Sequence, residues 1–350
     1  MRRFTESDLE NFGTRCFAST GMPLTDACVV SRALVSANLR GIDTHGVARI
    51  PAYLKRIRAG LINPRPEIRS SSPMPFSTIV DGDNAMGPVA ASIAVEACMR
   101  AADTLGIGAA TVRRSNHFGA ASVYTVPATA RGCVAIAMSP GAPSLAPHGS
   151  RAALFGTNPF ALAVPAGRYS PWSLDMAASV AARGHIRRAA QEGRAIPEGW
   201  ALDNEGAPTT NPEAALRGLM LPFAGAKGSG IAFMVDILAG VLAGSGFAGE
   251  VRDWNVDFTG PADVGHFFLV MKIEAFMPLG QFESRMETAI GRLKALPPAE
   301  GVEEVTYPGE RSGSTESERR RIGIPLGNEV LRPLAELAAE LGIASPSPTL

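Results

Sequence analysis

A chain of 350 residues, of which 46% are hydrophobic and 19% are charged, can bury a large core and can form two domains. Its 33 basic and 33 acidic side chains cancel, which excludes a strong net field that would attract nucleic acid or an anionic membrane. The four cysteines form no C-x-x-C pair, which argues against a zinc ribbon or a redox dithiol. The N-terminal MRRFTESDLE turns acidic before an apolar segment develops, so we expect no secretory signal and a cytoplasmic location.

The first part of the chain predicts helices over residues 5–59. Thr5 and Thr25 are expected to cap the first two of them, because a threonine hydroxyl accepts hydrogen bonds from the free N–H groups of a helix start. The second helix is expected to end near Gly41, and Gly60 ends a third helical pattern. The segment GIDTHG joins the second and third patterns.

After a proline-rich break at residues 63–75, short β-like runs such as STIVDG, GAATVRRS, CVAIAMS, FALAVPA and HFFLVMKI alternate with helical patterns. The fold class is therefore α/β, in the mixed α+β sense. Residues 231–247 form the most hydrophobic stretch. They are too few, and too often interrupted by glycine, to span a bilayer, so they predict a buried helix. From about Met277 the pattern is helical again.

The sequence lacks the usual glycine fingerprints of nucleotide binding. Its G-x-G-x-x-G string, residues 244–249, follows a predicted helix instead of a strand, and no G-x-x-x-x-G-K-[ST] loop occurs. An ordinary Rossmann domain is not supported. Any dinucleotide has to be held in another way.

His45 is the first candidate catalytic residue. It follows Thr44, whose hydroxyl can orient it, and lies one helical turn before Arg49. A histidine exchanges a proton near neutral pH, and a guanidinium can hold a carboxylate bidentately, which suits the reduction of a 2-oxo acid. The alternative is a helix cap followed by a surface salt bridge.

Two further candidates follow or precede predicted strands. His117, in SNHFG, lies between a β-like run and an apolar helix, where backbone amides can converge on a cofactor. The alternative is a histidine that caps the helix or satisfies a buried carbonyl. Thr157, in GTNP, lies in the turn before FALAVPA, and such turns are often only turns.

An aspartate and a lysine are the last two candidate site residues that the side-chain chemistry suggests. Asp175 lies in the apolar run WSLDMA and needs a partner to stay charged; a histidine would serve, and a helix N-cap before Met176 is the alternative. Lys227 lies in GAKGSG before an apolar helix, which suits a pyrophosphate, although a glycine-rich turn explains it equally well. The remaining histidines lack ligand spacing, so we expect no metal site.

A set of ordered segments resembles the type-2 malate/L-lactate dehydrogenase family over nearly the whole chain. The segments are SANLRGIDTHGVARI, VRRSNHFGAASVY, LFGTNPFALAVP, LDMAASVAARGHI, PEGWALDNEGAPTTNPEAAL, GAKGSGIAFMVDILAGVLAG and VTYPGER. This family includes ureidoglycolate and L-sulfolactate dehydrogenases, diketogulonate reductase and piperideine-2-carboxylate reductase. The resemblance implies a homodimer that uses NAD or NADP and acts on a small 2-oxo or 2-hydroxy acid, or on a 2-imino acid. It does not exclude a homologue that binds a small acid without turnover.

The resemblance also implies a domain division. A non-Rossmann dinucleotide-binding domain with a mixed sheet would span residues 75–274. A helical domain would combine residues 1–74 with residues 275–350, and the active site would lie between the two domains.

Site roles are carried over from the same family. His45 becomes the general acid, with Thr44 and Asp175 as its relay partners, and Arg49 and Thr157 contact the substrate carboxylate. His117 lines the nicotinamide pocket and remains the rival proton acceptor. The implied cofactor-binding residues are His117, Ser139, Gly141, Asp175, Met176, Ala177, Lys227, Gly228, Pro308, Gly309, Glu310 and Arg311.

The sequence departs from the family pattern near these residues. Thr44 replaces a usual serine, and it keeps the hydroxyl while its methyl restricts the rotamer. Ala226 and Ser229 replace bulky aromatics beside Lys227, which would enlarge the cofactor pocket. His185 stands where the family often has lysine.

Overall fold

The computed structural model describes residues 1–348. Its α-helices are α1 (Glu6–Ala18), α2 (Leu24–Leu39), α3 (Ile50–Arg58), α4 (Gly87–Leu105), α5 (Ser122–Thr129), α6 (Arg183–Gln191), α7 (Pro212–Arg217), α8 (Ala226–Asp236), α9 (Leu279–Lys294), α10 (Glu310–Ile322) and α11 (Asn328–Leu341). Short 3₁₀ turns cover Asp43–His45, Val47–Arg49 and Ile273–Ala275, and a π-helical turn, Ile237–Val241, continues α8.

The strands form one large sheet and two small ones. They are β1 (Arg2–Phe4), β2 (Arg69–Ser71), β3 (Ser77–Asp81), β4 (Ile107–Ser115), β5 (Cys133–Met138), β6 (Phe160–Val164), β7 (Trp172–Met176), β8 (Ala201–Leu202), β9 (Pro208–Thr209), β10 (Leu219–Met220), β11 (Val264–Lys272) and β12 (Ile324–Leu326). The seven-stranded sheet has the order β2-β3-β4-β11-β5-β6-β7. Only β3 and β4 pair in parallel, and the other neighbours are antiparallel. The predicted mixed α/β class is confirmed.

The two faces of this sheet are covered by different helices, because successive strand residues point to opposite sides. On one face, the small Ala135 and Ala137 of β5 allow a close approach of α4 and α5 and share a core with Phe268 of β11. On the other face, Met138 packs against Val235, at the end of α8. The sheet is therefore buried between two layers.

The two chain ends share a separate core. β1 pairs with β12 in antiparallel fashion, and Phe12 and Tyr53 near the N-terminus lie in one apolar cluster with Leu337 of α11. In contrast, α9 packs through Ile290 against Ala166 next to the large sheet. The first two contacts join the chain ends, whereas α9, which the predicted helical domain includes, packs beside the large sheet. The division into two domains stays a prediction.

One of the two predicted threonine caps is correct. Thr5 precedes α1, and its hydroxyl accepts a hydrogen bond from Asp8 N at 3.1 Å. The cap assigned to Thr25 is wrong, because α2 begins one residue earlier, at Leu24. Pro23 precedes that helix, and its fixed φ sets the chain for an earlier start.

The prediction of a buried helix over residues 231–247 is wrong in part. The segment is helical through α8 and the π-turn, but Phe233, Ile237, Val241 and Leu242 are between 44% and 60% exposed. Only the side that carries Val235 packs on the sheet. Because most residues of this segment are apolar, its sequence shows no polar side, so it could not indicate which face of the helix is exposed to solvent. Within residues 1–348, no helix is long and apolar enough to cross a membrane.

Two glycines in α8 make a matched test of its packing. A Cβ on Gly228 would lie 2.2 Å from the Phe223 carbonyl oxygen, whereas a Cβ on Gly230 would meet nothing within 4 Å. We expect Gly228→Ala to lower the midpoint of thermal unfolding. Gly230→Ala should raise the free energy of unfolding by up to about 1 kcal/mol, because alanine favours a helix interior. Equal effects of the two substitutions would contradict this packing.

Candidate active site

Several predicted site segments lie at the same end of neighbouring strands in the large sheet. Ser139 follows β5, Thr157 lies shortly before β6, and Ala177 follows β7. Because these strands are antiparallel neighbours, the three positions meet at the same edge. Ser139 N donates to Pro159 O at 3.2 Å, and Ala178 N donates to Thr157 O at 2.7 Å. Backbone hydrogen bonds thus fix the relative positions of these turns.

Two more predicted segments contact β7 or the turn after it. Phe223 N donates to Ala178 O at 3.0 Å, which places the exposed Lys227 at the start of α8 near the end of β7. Ser173 N donates to Pro308 O at 2.9 Å, which places the start of α10 beside the same strand. These predicted cofactor segments therefore lie along β7: the segment before α10 contacts its start, and the segment before α8 contacts the turn after its end.

His45 and His117 form the centre of a stack of rings. Their ring centroids are 5.6 Å apart with an interplanar angle of 22°. The ring of Trp254 stacks on the other side of His117 at 4.7 Å. Tyr53 lies beneath, with its hydroxyl 2.6 Å from His117 Nδ1. The two histidines predicted from separate motifs thus belong to one site.

Thr44 and Arg49 complete the surroundings of His45. The Thr44 hydroxyl lies 3.0 Å from His45 Nδ1, and Arg49 Nε donates to Thr44 O at 2.6 Å. The Arg49 guanidinium carbon lies 5.2 Å from the centre of the Trp254 ring. Two 3₁₀ turns, Asp43–His45 and Val47–Arg49, bring these groups together before α3; the extended Gly46 separates the two turns.

Burial and nearby positive charge lower the pKa of both imidazoles. Burial, reinforced by the charge of Arg49, lowers the pKa of His45 to about 4. Burial is also the main reason that the pKa of His117 lies well below its ordinary value, and His45 and Arg49 lower it further. A neutral imidazole accepts a proton, so the free site is ready to act as a base.

The lowered pKa of His45 predicts the pH dependence of hydroxy-acid oxidation. The base form of His45 dominates at every pH above its pKa of about 4. We therefore expect kcat/KM for oxidation to stay nearly level from pH 8 down to about pH 5 and to fall only near pH 4, since this parameter reports the free enzyme. Initial rates across this range provide the test. An inflection near the ordinary histidine pKa of about 6.5 would contradict the assignment.

Asp175 occupies a different environment from the one expected. Strand β7 continues through Met176, so the alternative of a helix cap before Met176 is wrong. Asp175 Oδ2 instead accepts a hydrogen bond from Ser122 N, at the start of α5, at 2.9 Å. Burial raises the pKa of this carboxyl group. In the described part of the chain its hydrogen bonds go to Ser122 and not to His45, so the relay role of Asp175 stays a prediction.

Sequence reasoning missed three aromatic residues that shape the site. Tyr53 fits the helical spacing of a core residue, and Trp254 lies in a loop that carries no motif. His266 was considered only as a metal ligand. It is fully buried, with Ser139 Oγ 2.9 Å from its Nδ1 and Ser115 Oγ 3.0 Å from its Nε2. It thereby ties the loop that bears His117 to the end of β5.

Comparison with known proteins identifies relatives over nearly the full length. The chain is 36% identical to a malate dehydrogenase of Pyrococcus horikoshii over 349 residues, covering 97% of this chain and 96% of that protein. The solved sulfolactate dehydrogenase of Methanocaldococcus jannaschii superposes with a TM-score of 0.90 at 31% identity, covering 97% of this chain and 98% of the other. A solved delta1-piperideine-2-carboxylate reductase of Pseudomonas syringae has a TM-score of 0.87 at 30% identity, covering 97% and 100%.

These relatives define a class of dehydrogenases and reductases of small acids. Others are named for their cofactor: an Escherichia coli ureidoglycolate dehydrogenase for NAD(+), and a Chromohalobacter salexigens (2R)-3-sulfolactate dehydrogenase for NADP(+). The model of the malate/L-lactate dehydrogenase family matches residues 4–335. The chain belongs to this family, as its ordered motifs predicted.

Proposed function

We propose that this protein is an NAD(P)H-dependent oxidoreductase that interconverts a small 2-oxo acid and the corresponding 2-hydroxy acid. The observation that carries the proposal is the group formed by His45, its hydroxyl partner Thr44 and the guanidinium of Arg49, stacked against His117. This group supports the proposal because an imidazole can exchange the proton and a guanidinium can bind the carboxylate of a 2-oxo acid.

In this proposal each side chain of the site has a separate role. The bound nicotinamide supplies a hydride for reduction or accepts one for oxidation. His45 gives a proton to the substrate oxygen or removes one from it. The Thr44 hydroxyl can donate to His45 Nδ1 or accept from it, so it supports both forms of the ring. Arg49, with Thr157 as a second contact, binds the carboxylate and thereby orients the reacting carbon.

The described residues fit a dinucleotide. Helix α8 starts after Gly225 without a side-chain cap, but the N–H groups of Lys227 and Gly228 already donate to the carbonyls of Ala224 and Phe223. The exposed ammonium group of Lys227 would therefore be the contact for a pyrophosphate. Helix α10 likewise starts after Gly309 without a side-chain cap. The cofactor-binding residues remain those implied by the resemblance, namely His117, Ser139, Gly141, Asp175, Met176, Ala177, Lys227, Gly228, Pro308, Gly309, Glu310 and Arg311. Because one relative is named for NAD(+) and another for NADP(+), we propose that this chain uses one of these two cofactors.

A second candidate function is the reduction of a cyclic or N-substituted 2-imino acid. It is favoured by the similarity to the piperideine-2-carboxylate reductase. The same residues would serve, because His45 would give its proton to a developing amine instead of an alkoxide.

Turnover with defined substrates tests both candidates. Loss of the reduced-nicotinamide absorbance is followed with NADH and NADPH against pyruvate, oxaloacetate, a sulfonated 2-oxo acid and a cyclic 2-imino acid. We expect turnover of at least one 2-oxo acid. Turnover of the imino acid alone would select the second candidate. Cofactor binding without turnover of any of these acids would contradict both and favour a binding protein.

We also propose that the protein is a homodimer and acts in the cytoplasm. The exposed apolar side chains of Phe233, Ile237, Val241 and Leu242 lie on consecutive turns, where a second copy would remove them from water. The four cysteines are unpaired, which suits a reducing compartment. Sedimentation equilibrium is expected to give twice the chain mass of 36.6 kDa. A monomer would contradict the dimer, and Ile237→Asp should shift the equilibrium toward single chains.

A further inference from the structure

Helix α3 carries an arginine that is almost completely buried. Arg56 is only 1% exposed. Its Nη1 donates to Trp254 O at 3.2 Å and to Asp257 O at 2.6 Å, and its Nη2 donates to Gly260 O at 3.1 Å. Within residues 1–348, its charge is therefore stabilised by three backbone carbonyls and not by a paired carboxylate. A buried arginine needs such partners, because removal of a charged group from water is costly.

The three carbonyls belong to one loop, residues 252–262, which we call the Trp254 loop. It contains no helix or strand, and its ends are joined by a hydrogen bond from Arg252 N to Ala262 O at 3.1 Å. The Arg56 guanidinium carbon also lies 5.3 Å from the centre of the Phe258 ring on this loop. Because Arg56 binds the loop backbone at three points, one side chain of α3 fixes the path of most of the loop.

Trp254 connects this loop with the candidate active site. Its ring stacks on His117 with the centroids 4.7 Å apart, and the Arg49 guanidinium carbon lies 5.2 Å from its centre. A guanidinium is attracted to the face of an indole ring, so Trp254 favours one orientation of Arg49. Because Arg49 Nε already donates to Thr44 O, the indole ring and this carbonyl together orient the guanidinium.

We infer that Arg56 is a positioning residue of this enzyme: it holds the Trp254 loop so that the Trp254 ring orients Arg49 and His117 for the substrate. The inference rests on the proposed function, in which Arg49 binds the carboxylate next to the reacting carbon. Arg56 acts through Trp254, because its hydrogen bonds go to the loop backbone. A displacement of about 1 Å can lower a rate by about 10²-fold, so a small shift of the loop is sufficient.

A double-mutant cycle tests this assignment. Initial rates with the 2-oxo acid that wild type reduces are measured for wild type, Arg56→Met, Trp254→Leu and the double variant. We expect each single substitution to lower kcat/KM by roughly 10- to 100-fold, as for a displaced positioning group. The double variant should stay within about twofold of Trp254→Leu, because Arg56 has no indole ring left to position. Trp254→Phe should retain most of the activity, since a phenyl ring also offers an aromatic face.

Two further arginine variants separate positioning from stability. Arg56→Met leaves three buried carbonyls without their donor, so it should also lower the midpoint of thermal unfolding. Arg56→Lys keeps the charge and part of the hydrogen bonding, so it should lose less activity. It replaces Arg56→Met in the cycle if that variant does not fold. Arg58→Met should behave like wild type, because Arg58 pairs with Glu340 at the surface.

Fluorescence follows the Trp254 ring without any turnover. The chain has 3 tryptophans, so the emission of Trp254 is the difference between a protein and the same protein with Trp254→Phe. We expect acrylamide to quench this emission more strongly in Arg56→Met than in wild type, because the loop is no longer held against α3. Quenching in Arg58→Met should equal that in wild type.

The contrary outcomes are equally specific. The inference fails if Arg56→Met keeps the wild-type rate. It also fails if this substitution lowers the rate equally with and without the Trp254 ring, which is the result for an arginine that only stabilises the fold. If no 2-oxo acid is reduced, the quenching measurement separates the two proposals. Stronger quenching in Arg56→Met would uphold the contact of Arg56 with the Trp254 loop although the proposed reaction had failed, and equal quenching in Arg56→Met and wild type would overturn it.

Discussion

Replacing His45 with alanine is expected to lower kcat for reduction of the 2-oxo acid by about 10²- to 10⁴-fold, the usual range for removal of a general acid or base. The Thr44 hydroxyl contacts the imidazole of His45, and Arg49 donates to the carbonyl oxygen of the same threonine. Cofactor affinity should change little, because the proposed pyrophosphate contacts lie at the starts of α8 and α10. Steady-state rates and titration of NADH binding measure the two effects separately.

His117 provides the rival assignment for the same experiment. Its Nδ1 is engaged by Tyr53 and its ring lies between His45 and Trp254, which suits a positioning role better than proton transfer. His117→Ala is therefore expected to weaken substrate or cofactor binding more than it lowers kcat. His185→Ala, at an exposed position on α6, is the matched control. If His45→Ala keeps near-wild-type turnover while His117→Ala abolishes it, the two roles must be exchanged.

Replacing Arg49 with methionine is expected to lower kcat/KM for every 2-oxo acid by roughly 10- to 100-fold. The carboxylate next to the reacting carbon would lose a charge-assisted contact, and each such contact contributes about 1.5–3 kcal/mol. The loss should be the same for mono- and dianionic substrates, because both carry the carboxylate next to the reacting carbon. Rates with pyruvate and oxaloacetate make the comparison.

Arg58→Met is the control for this variant. Arg58 is the last residue of α3, the helix that begins directly after Arg49, and it pairs with Glu340 at the surface. Exposed ion pairs contribute little to stability, so this variant should retain normal rates. Equal losses in Arg49→Met and Arg58→Met would indicate general damage to α3 and would contradict the carboxylate role.

Local patterns in the sequence were sufficient to predict much of the fold and part of the site. The alternation of short β-like runs with helical spacing predicted a mixed sheet. His45 and Arg49 were expected near each other because they are four residues apart, and they are neighbours although the extended Gly46 divides the segment into two 3₁₀ turns. The sequence has no glycine fingerprint that follows a strand, so an ordinary Rossmann domain with a parallel sheet was not expected. The large sheet is mostly antiparallel.

Contacts between distant segments were beyond such reasoning. Tyr53, His117 and Trp254 come from three separate regions and meet only through tertiary packing. Asp175 was expected beside a histidine because a buried carboxylate needs a partner. The partner is a backbone N–H of Ser122, a group that every residue except proline offers, so the sequence could not single it out.

Transfer of deuterium tests the central claim most directly. The enzyme is incubated with NADH or NADPH that carries deuterium at the transferred position of nicotinamide C4, together with a 2-oxo acid, and the product is analysed by mass spectrometry and NMR. We expect one deuterium on the 2-carbon of the hydroxy acid, formed by wild type and only at a trace rate by His45→Ala. A product that contains no deuterium at that carbon, or formation at equal rates by both proteins, would contradict this account.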